Sequence, residues 1–243
     1  MILYLTSSPC IDGAPRAILN PANGFLQRLK ADLPNPCRCL FIASDPDDPK
    51  ECAHYGSHMF SAFAEAGLFF SRFQVLDCTN AADAPRLVAE SDLILLSGGH
   101  VPTQNRFFQK LKLDALLENF PGVVVGISAG TMNAAATVYA QPELPGESTD
   151  PNYQRFLPGL GLTQVNVCPH YQKVRHDILD GKRLFEDITY PDSLGRSFYA
   201  LPDGSYFYIH EGDTLLCGEA YRIRGGILEL LTLEGEERSL DQL

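Results

Sequence analysis

The sequence predicts an α/β fold: a mostly parallel central sheet with helices on both faces and a β-hairpin extension at the C-terminus. Three observations predict it. Five short runs in the first 130 residues are apolar at nearly every position, as strands buried on both faces are. Longer stretches with helical spacing separate them, and alternating strand and helix implies parallel pairing. The tail beyond residue 197 carries paired β-like runs around turn dipeptides.

In chain order, the strands are expected at 2–6, 39–43, 69–76, 93–96 and 123–127. Helical spacing is expected over 24–33, with Phe25, Leu26 and Leu29 on one face, over 49–67, in a short stretch ending at 86–90, and over 104–120. Residues 141–158 are rich in Pro, Gly, Glu and Asp and read as a long loop, a place where function often resides. A strand at 165–168 and a helix over 173–185 follow. Beyond 197, runs at 206–209 and 215–217 flank Glu211-Gly212-Asp213, and runs at 221–224 and 227–230 flank Gly225-Gly226. No repeat, low-complexity tract or linker interrupts this order, so residues 1–243 are read as a single α/β domain.

The chain has 243 residues, 45% hydrophobic and 20% charged, which suits a globular domain with its own core. Its 19 Lys+Arg against 30 Asp+Glu leave a net charge of −11, which argues against nucleic acid or an anionic membrane as partner. No run approaches a membrane span, and the first residues have neither a basic region nor a long apolar stretch of signal-peptide kind. Seven cysteines, an odd number and scattered, suit reduced thiols and a cytoplasmic location.

The most informative segment is Gly122-Val-Val-Val-Gly-Ile-Ser-Ala-Gly-Thr-Met-Asn. An apolar strand runs into Gly126-Ile127-Ser128-Ala129-Gly130 and a helical stretch follows, the setting of a nucleophile elbow. Ser128 is expected on a tight turn with its hydroxyl above the sheet. The Ala129 amide lies at a helix start, where free N–H groups can face an oxyanion. A nucleophilic Ser needs a base, and His170, where the strand at 165–168 ends, is the candidate among six His. A second oxyanion donor is expected in Leu95-Leu-Ser-Gly-Gly-His100, with Gly99 first and Gly98 in reserve, because no Cβ shields a glycine amide.

The strand-end Gly-Gly, the Gly-x-Ser-Ala-Gly elbow and Pro169-His170-Tyr171 together resemble the dipeptidase E group of serine peptidases, which includes aspartyl dipeptidases and cyanophycinases. The resemblance runs from about residue 90 to 205, with Leu201-Pro-Asp-Gly-Ser also similar, and implies a fold like that of class I glutamine amidotransferases. It implies Ser128 as nucleophile, His170 as base, and Gly99 and Ala129 as oxyanion donors. It places an acid about fifteen positions beyond the serine, at Glu143, with Glu147 and Asp150 in reserve, and Arg175 as reader of a substrate carboxylate. The implied activity is cleavage of short peptides, dipeptides with N-terminal Asp among them. No cofactor or metal is expected, and the chain is expected to act as a monomer or a homodimer. His100 stands where the family usually has Asn, and is a candidate substrate contact.

Three further readings compete. An α/β-hydrolase esterase shares the elbow but would need His210 as its base. A binding module would keep the fold with a vestigial site. His54 and His58, at i and i+4 on one helix face, have metal-ligand spacing but no obvious third ligand.

Overall fold

The computed structural model describes residues 1–242. Strands β1 (Ile2–Thr6), β2 (Cys37–Ile42), β3 (Phe70–Leu76), β4 (Leu93–Leu96) and β5 (Val123–Ile127) alternate with helices α1 (Phe25–Asp32), α2 (Pro49–Glu65), α3 (Ala84–Ala89), α4 (Val101–Leu111) and α5 (Leu113–Leu117). Helix α6 (Ala129–Asn133) follows β5 directly. The remaining strands are β6 (Thr137–Tyr139), β7 (Phe156–Pro158), β8 (Val167–Cys168), β9 (Ile178–Leu179), β10 (Lys182–Arg183), β11 (Ser197–Ala200), β12 (Tyr206–His210), β13 (Asp213–Cys217), β14 (Ala220–Arg224), β15 (Ile227–Thr232) and β16 (Glu237–Ser239). The short helices α7 (Tyr171–Val174) and α8 (Tyr190–Asp192) lie among them.

The main sheet has eight strands in the order β16-β13-β12-β1-β5-β4-β2-β3. From β1 to β3 every pairing is parallel, and from β1 outward through β12, β13 and β16 every pairing is antiparallel. The period of two along each strand divides the core between its faces. Ile94, Leu96, Val124, Leu3 and Leu5 belong to one apolar cluster, and Leu93, Leu95, Val123, Val125 and Tyr4 to the other. Burial on both faces explains why the parallel strands read as unbroken apolar runs.

Two expectations for helices give way. The stretch expected over 104–120 is two helices, because Lys112 takes a left-handed conformation (φ 52°) and ends α4. The apolar spacing runs on unbroken across it, with Leu113 and Leu117 fully buried, so periodicity alone conceals the break. The helix expected over 173–185 is absent. Helix α7 stops at Val174, and β9 and β10 form a hairpin around Asp180-Gly181, whose φ values of 52° and 80° suit a tight two-residue turn. The Asp-Gly signal prevails over the helical spacing around it.

The C-terminal β extension divides between two sheets. One hairpin, β12–β13 around Glu211-Gly212, extends the main sheet. The other, β14–β15 around Gly225-Gly226, joins β11 and β8 in a second, four-stranded sheet. In that sheet β11 runs parallel to β8, with Ala200 opposite Cys168. Their ends therefore deliver His170 and Asp203 to the same place.

Helix α6 packs so closely on β4 that a Cβ on Gly130 would stand 2.1 Å from the Leu96 carbonyl oxygen and 2.6 Å from the Leu96 Cβ. The obstacle is backbone in the middle of the sheet and cannot rotate away. Gly130→Ala is expected to destabilise the fold by at least about 2 kcal/mol in urea or thermal denaturation. Unchanged stability would contradict this packing.

Candidate active site

The site forms at the carboxyl ends of the parallel strands, where ligands bind in open α/β sheets. Strand β5 ends at Ile127, and Ser128 follows with φ 50° and ψ −110°. Such a conformation costs a non-glycine residue about 1–3 kcal/mol and is held by its surroundings. Here the Ser128 amide donates to the carbonyls of Thr6 (3.2 Å) and Ser7 (3.0 Å) at the end of β1, and the Gly130 amide donates to the Ser97 carbonyl at the end of β4 (3.1 Å). The turn is pinned to both neighbouring strands.

The hydroxyl of Ser128 lies 2.9 Å from His170 Nε2, and His170 Nδ1 lies 2.7 Å from Asp203 Oδ1. With Nδ1–H donating to the carboxylate, Nε2 is free to accept the serine proton. His170 takes a left-handed conformation (φ 57°), and its own amide donates to Ser7 Oγ (2.7 Å). Ser7 Oγ in turn donates to Asp203 Oδ1 (2.8 Å), so one hydroxyl ties the imidazole's backbone to the carboxylate that orients its ring.

Asp203 is nearly fully buried, its side chain 4% exposed. Burial alone would raise its pKa, but the hydrogen bond and charge of His170, the Lys173 ammonium (2.8 Å from Oδ2) and Ser7 hold it well below the usual carboxylate range. Lys173 is anchored from its other side by Asp12 at 2.6 Å. Because folding lowers this pKa, the ionised carboxylate adds stability that is present above about pH 4 and is given up as the pH falls further. Asp203→Asn is expected to remove that share of the acid sensitivity. Urea midpoints of the two proteins between pH 2 and 6 measure it, and parallel curves would contradict it.

The acid beside His170 is therefore not Glu143. Glu143 lines the same cleft with its side chain exposed, and its carboxylate makes no hydrogen bond to the imidazole. Burial pushes its pKa up, with the nearby Glu147 adding to this against the pull of His100 and His170. Glu147 serves another partner: its Oε1 is 2.8 Å from His100 Nε2, and its Oε2 accepts from the amides of Glu143 (2.8 Å) and Leu144 (2.9 Å). Burial opposes ionisation of Glu147, but those two amides and His100 hold its pKa below the ordinary value. Asp150 is exposed and accepts from the Asn152 amide (2.8 Å). The acid lies instead in Leu201-Pro-Asp-Gly-Ser, 33 residues after His170.

Gly98 and Gly99 line the cleft with Ser128. A Cβ on Gly98 would stand 3.5 Å from the Ser128 Cβ, so that backbone lies against Ser128. Gly99 has φ +148°, and a Cβ there would come within 2.3 Å of Ser44 Oγ, so the segment calls for glycine. The Ala129 amide opens α6, where no earlier turn supplies an intrahelical acceptor. His100 also lines the cleft, its Nδ1 2.8 Å from Thr103 Oγ1. Arg175 does not: it is exposed just beyond α7, on the side of Tyr171 and Tyr221. His210 lies beside the start of β1, since its neighbour Ile209 pairs with Leu3, at the sheet edge opposite Ser128. The rings of His54 and His58 lie tilted against each other on the exposed face of α2 with centroids 4.1 Å apart, and no group of three or more metal-ligating side chains forms among the described residues.

The family model that matches this sequence is that of peptidase family S51, over residues 25–217. No curated protein sequence matches it. Among solved structures, a peptidase from an acI-B1 Actinobacterium superposes with a TM-score of 0.69 at 20% identity, covering 98% of this chain and 96% of that one. A putative peptidase E protein from Listeria monocytogenes EGD-e superposes with a TM-score of 0.59 at 16% identity, covering 95% and 98%. At such identities these two likenesses speak for the fold.

Proposed function

The chain belongs to peptidase family S51 and is a serine-type peptidase, and from that premise we propose that it hydrolyses short peptides through Ser128, His170 and Asp203. The observation that carries this reading is the unbroken line from Ser128 Oγ to His170 Nε2 and from His170 Nδ1 to Asp203 Oδ1, at 2.9 and 2.7 Å.

In this mechanism Ser128 Oγ attacks the scissile carbonyl as His170 Nε2 takes its proton. Asp203, ionised and locked by Ser7 and Lys173, holds the imidazole in the productive tautomer and stabilises the imidazolium. The oxyanion faces the amides of Ala129 and the Gly98–Gly99 segment, which are in place before charge develops. His170 returns its proton to the leaving amine, and a water activated by the same imidazole releases the acyl group.

Short substrates suit the cleft, whose volume of about 620 Å³ lies within the range of small-molecule sites. The preference for N-terminal Asp implied by the resemblance rests on an arginine reading the substrate carboxylate. Arg175, the candidate for that part, lies outside the cleft. The proposal is therefore a short-peptide hydrolase without an arginine clamp from α7. Hydrolysis of peptides of two to eight residues tests it: turnover is expected to favour the shortest members and to vanish in Ser128→Ala. Equal turnover at all lengths would contradict the size argument, and activity surviving in the variant would contradict the mechanism.

A further inference from the structure

Resting on the serine-peptidase reading above, we propose that the cleft selects peptides carrying a cationic side chain, Lys or Arg, through the carboxylates of Asp45 and Glu51.

The charges lining the cleft are of one sign. Asp45, Asp48, Glu51 and Glu143 face it, the histidines His100 and His170 are its only basic side chains, and neither lysine nor arginine lines it among the described residues. His100 is already matched by Glu147 and His170 by Asp203. A substrate carboxylate entering this space meets repulsion with no cation to offset it, whereas an ammonium or guanidinium meets complementary charge.

The walls fit the stem of such a side chain as well as its head. Phe41, Tyr55 and Met59 line the same cleft, so methylenes can lie along apolar surface while the charged end reaches the carboxylates, as long basic side chains do. Ser97 adds a separate observation. It lines the cleft at 5% exposure, and its hydroxyl, buried in the wall, has no hydrogen-bond partner among the described residues.

The carboxylates are not equivalent. Asp48 caps α2, its Oδ1 accepting from the Glu51 amide at 3.1 Å, and so has a structural duty. Asp45, just past the end of β2, and Glu51, in the first turn of α2, are exposed, and neither side chain makes an ion pair among the described residues. These two can be neutralised without unpairing a buried partner.

The test uses the full chain and a panel of Lys-Ala, Ala-Lys, Arg-Ala, Ala-Arg, Asp-Ala and the isosteric neutral pair norleucine-Ala and Ala-norleucine. The expected result is kcat/KM about tenfold or more higher for the best Lys or Arg peptide than for its norleucine counterpart. That ratio is expected to shrink toward one in Asp45→Asn/Glu51→Gln and to fall as salt rises to about 0.5 M. Calorimetric binding of the same pairs to Ser128→Ala gives a second readout: tighter binding of Lys-Ala than of norleucine-Ala supports the proposal even where turnover is slow. Equal kcat/KM for lysine and norleucine peptides, preference for Asp-Ala, or a ratio unchanged in the double variant overturns it. With hydrolysis still lost in Ser128→Ala, such a result overturns the selectivity alone. Hydrolysis that survives Ser128→Ala overturns the serine-peptidase mechanism with it.

Discussion

Replacing Ser128 by Ala is expected to lower kcat for any cleaved peptide by about 10⁵–10⁶-fold, the loss typical when the nucleophile of a triad is removed. The mechanism has no second nucleophile to take over. Cys168 is the nearest thiol in sequence to His170, but it is fully buried and its pKa is pushed up to about 12. Binding is expected to survive, because the Ser128 turn is held by its backbone amide, which donates to Thr6 and Ser7. Alanine keeps the Cβ, so the backbone strain at φ 50° is unchanged and the fold loses little. A variant that folds as wild type, binds peptide and fails to turn it over is the full expectation. Loss of folding instead would show that the hydroxyl has a structural role that the hydrogen bonds do not assign to it.

The second large effect separates two acids. Asp203→Asn is expected to lower kcat by about 10³–10⁴-fold, because an amide facing Nδ1 favours the wrong imidazole tautomer and removes the charge that stabilises the imidazolium. Asp203 accepts from His170 and Ser7 and pairs with Lys173, so the substitution also leaves the exposed Lys173 ammonium with Asp12 as its remaining carboxylate. Glu143→Gln is expected to change kcat by less than about tenfold, since no hydrogen bond joins that carboxylate to His170. Steady-state kinetics on the two variants, side by side, decides between them. A larger loss in Glu143→Gln than in Asp203→Asn would return the acid to the loop that follows the elbow.

The contrast between these acids shows where the sequence was legible. Ser128 was readable because local chain explains it: an apolar strand, a turn of small residues and a helix start lie within about a dozen positions, and the strained φ is the outcome of that setting. The Gly98–Gly99 segment was readable for the same reason, as was His170 at the end of a strand. Asp203 was not, because its place depends on β11 lying parallel to β8, a pairing between segments about thirty residues apart. Its signal was present: Pro202-Asp203-Gly204 is a tight turn between β11 and β12, a strand-end position like that of His170. Counting forward from the serine reached Glu143, which lines the cleft, and Glu147, which pairs with His100. Arg175 failed for a local reason, since α7 is four residues long and the chain turns into the β9–β10 hairpin in place of the expected helix.

The most direct test of the central claim is covalent. A fluorophosphonate probe, followed by peptide mapping in a mass spectrometer, is expected to give one adduct per chain, on Ser128, with peptide hydrolysis lost in proportion to labelling. Labelling is expected to slow sharply in His170→Ala and in Asp203→Asn. An adduct on another residue, or full hydrolysis by the labelled protein, would contradict the assignment of Ser128, His170 and Asp203 as the catalytic group.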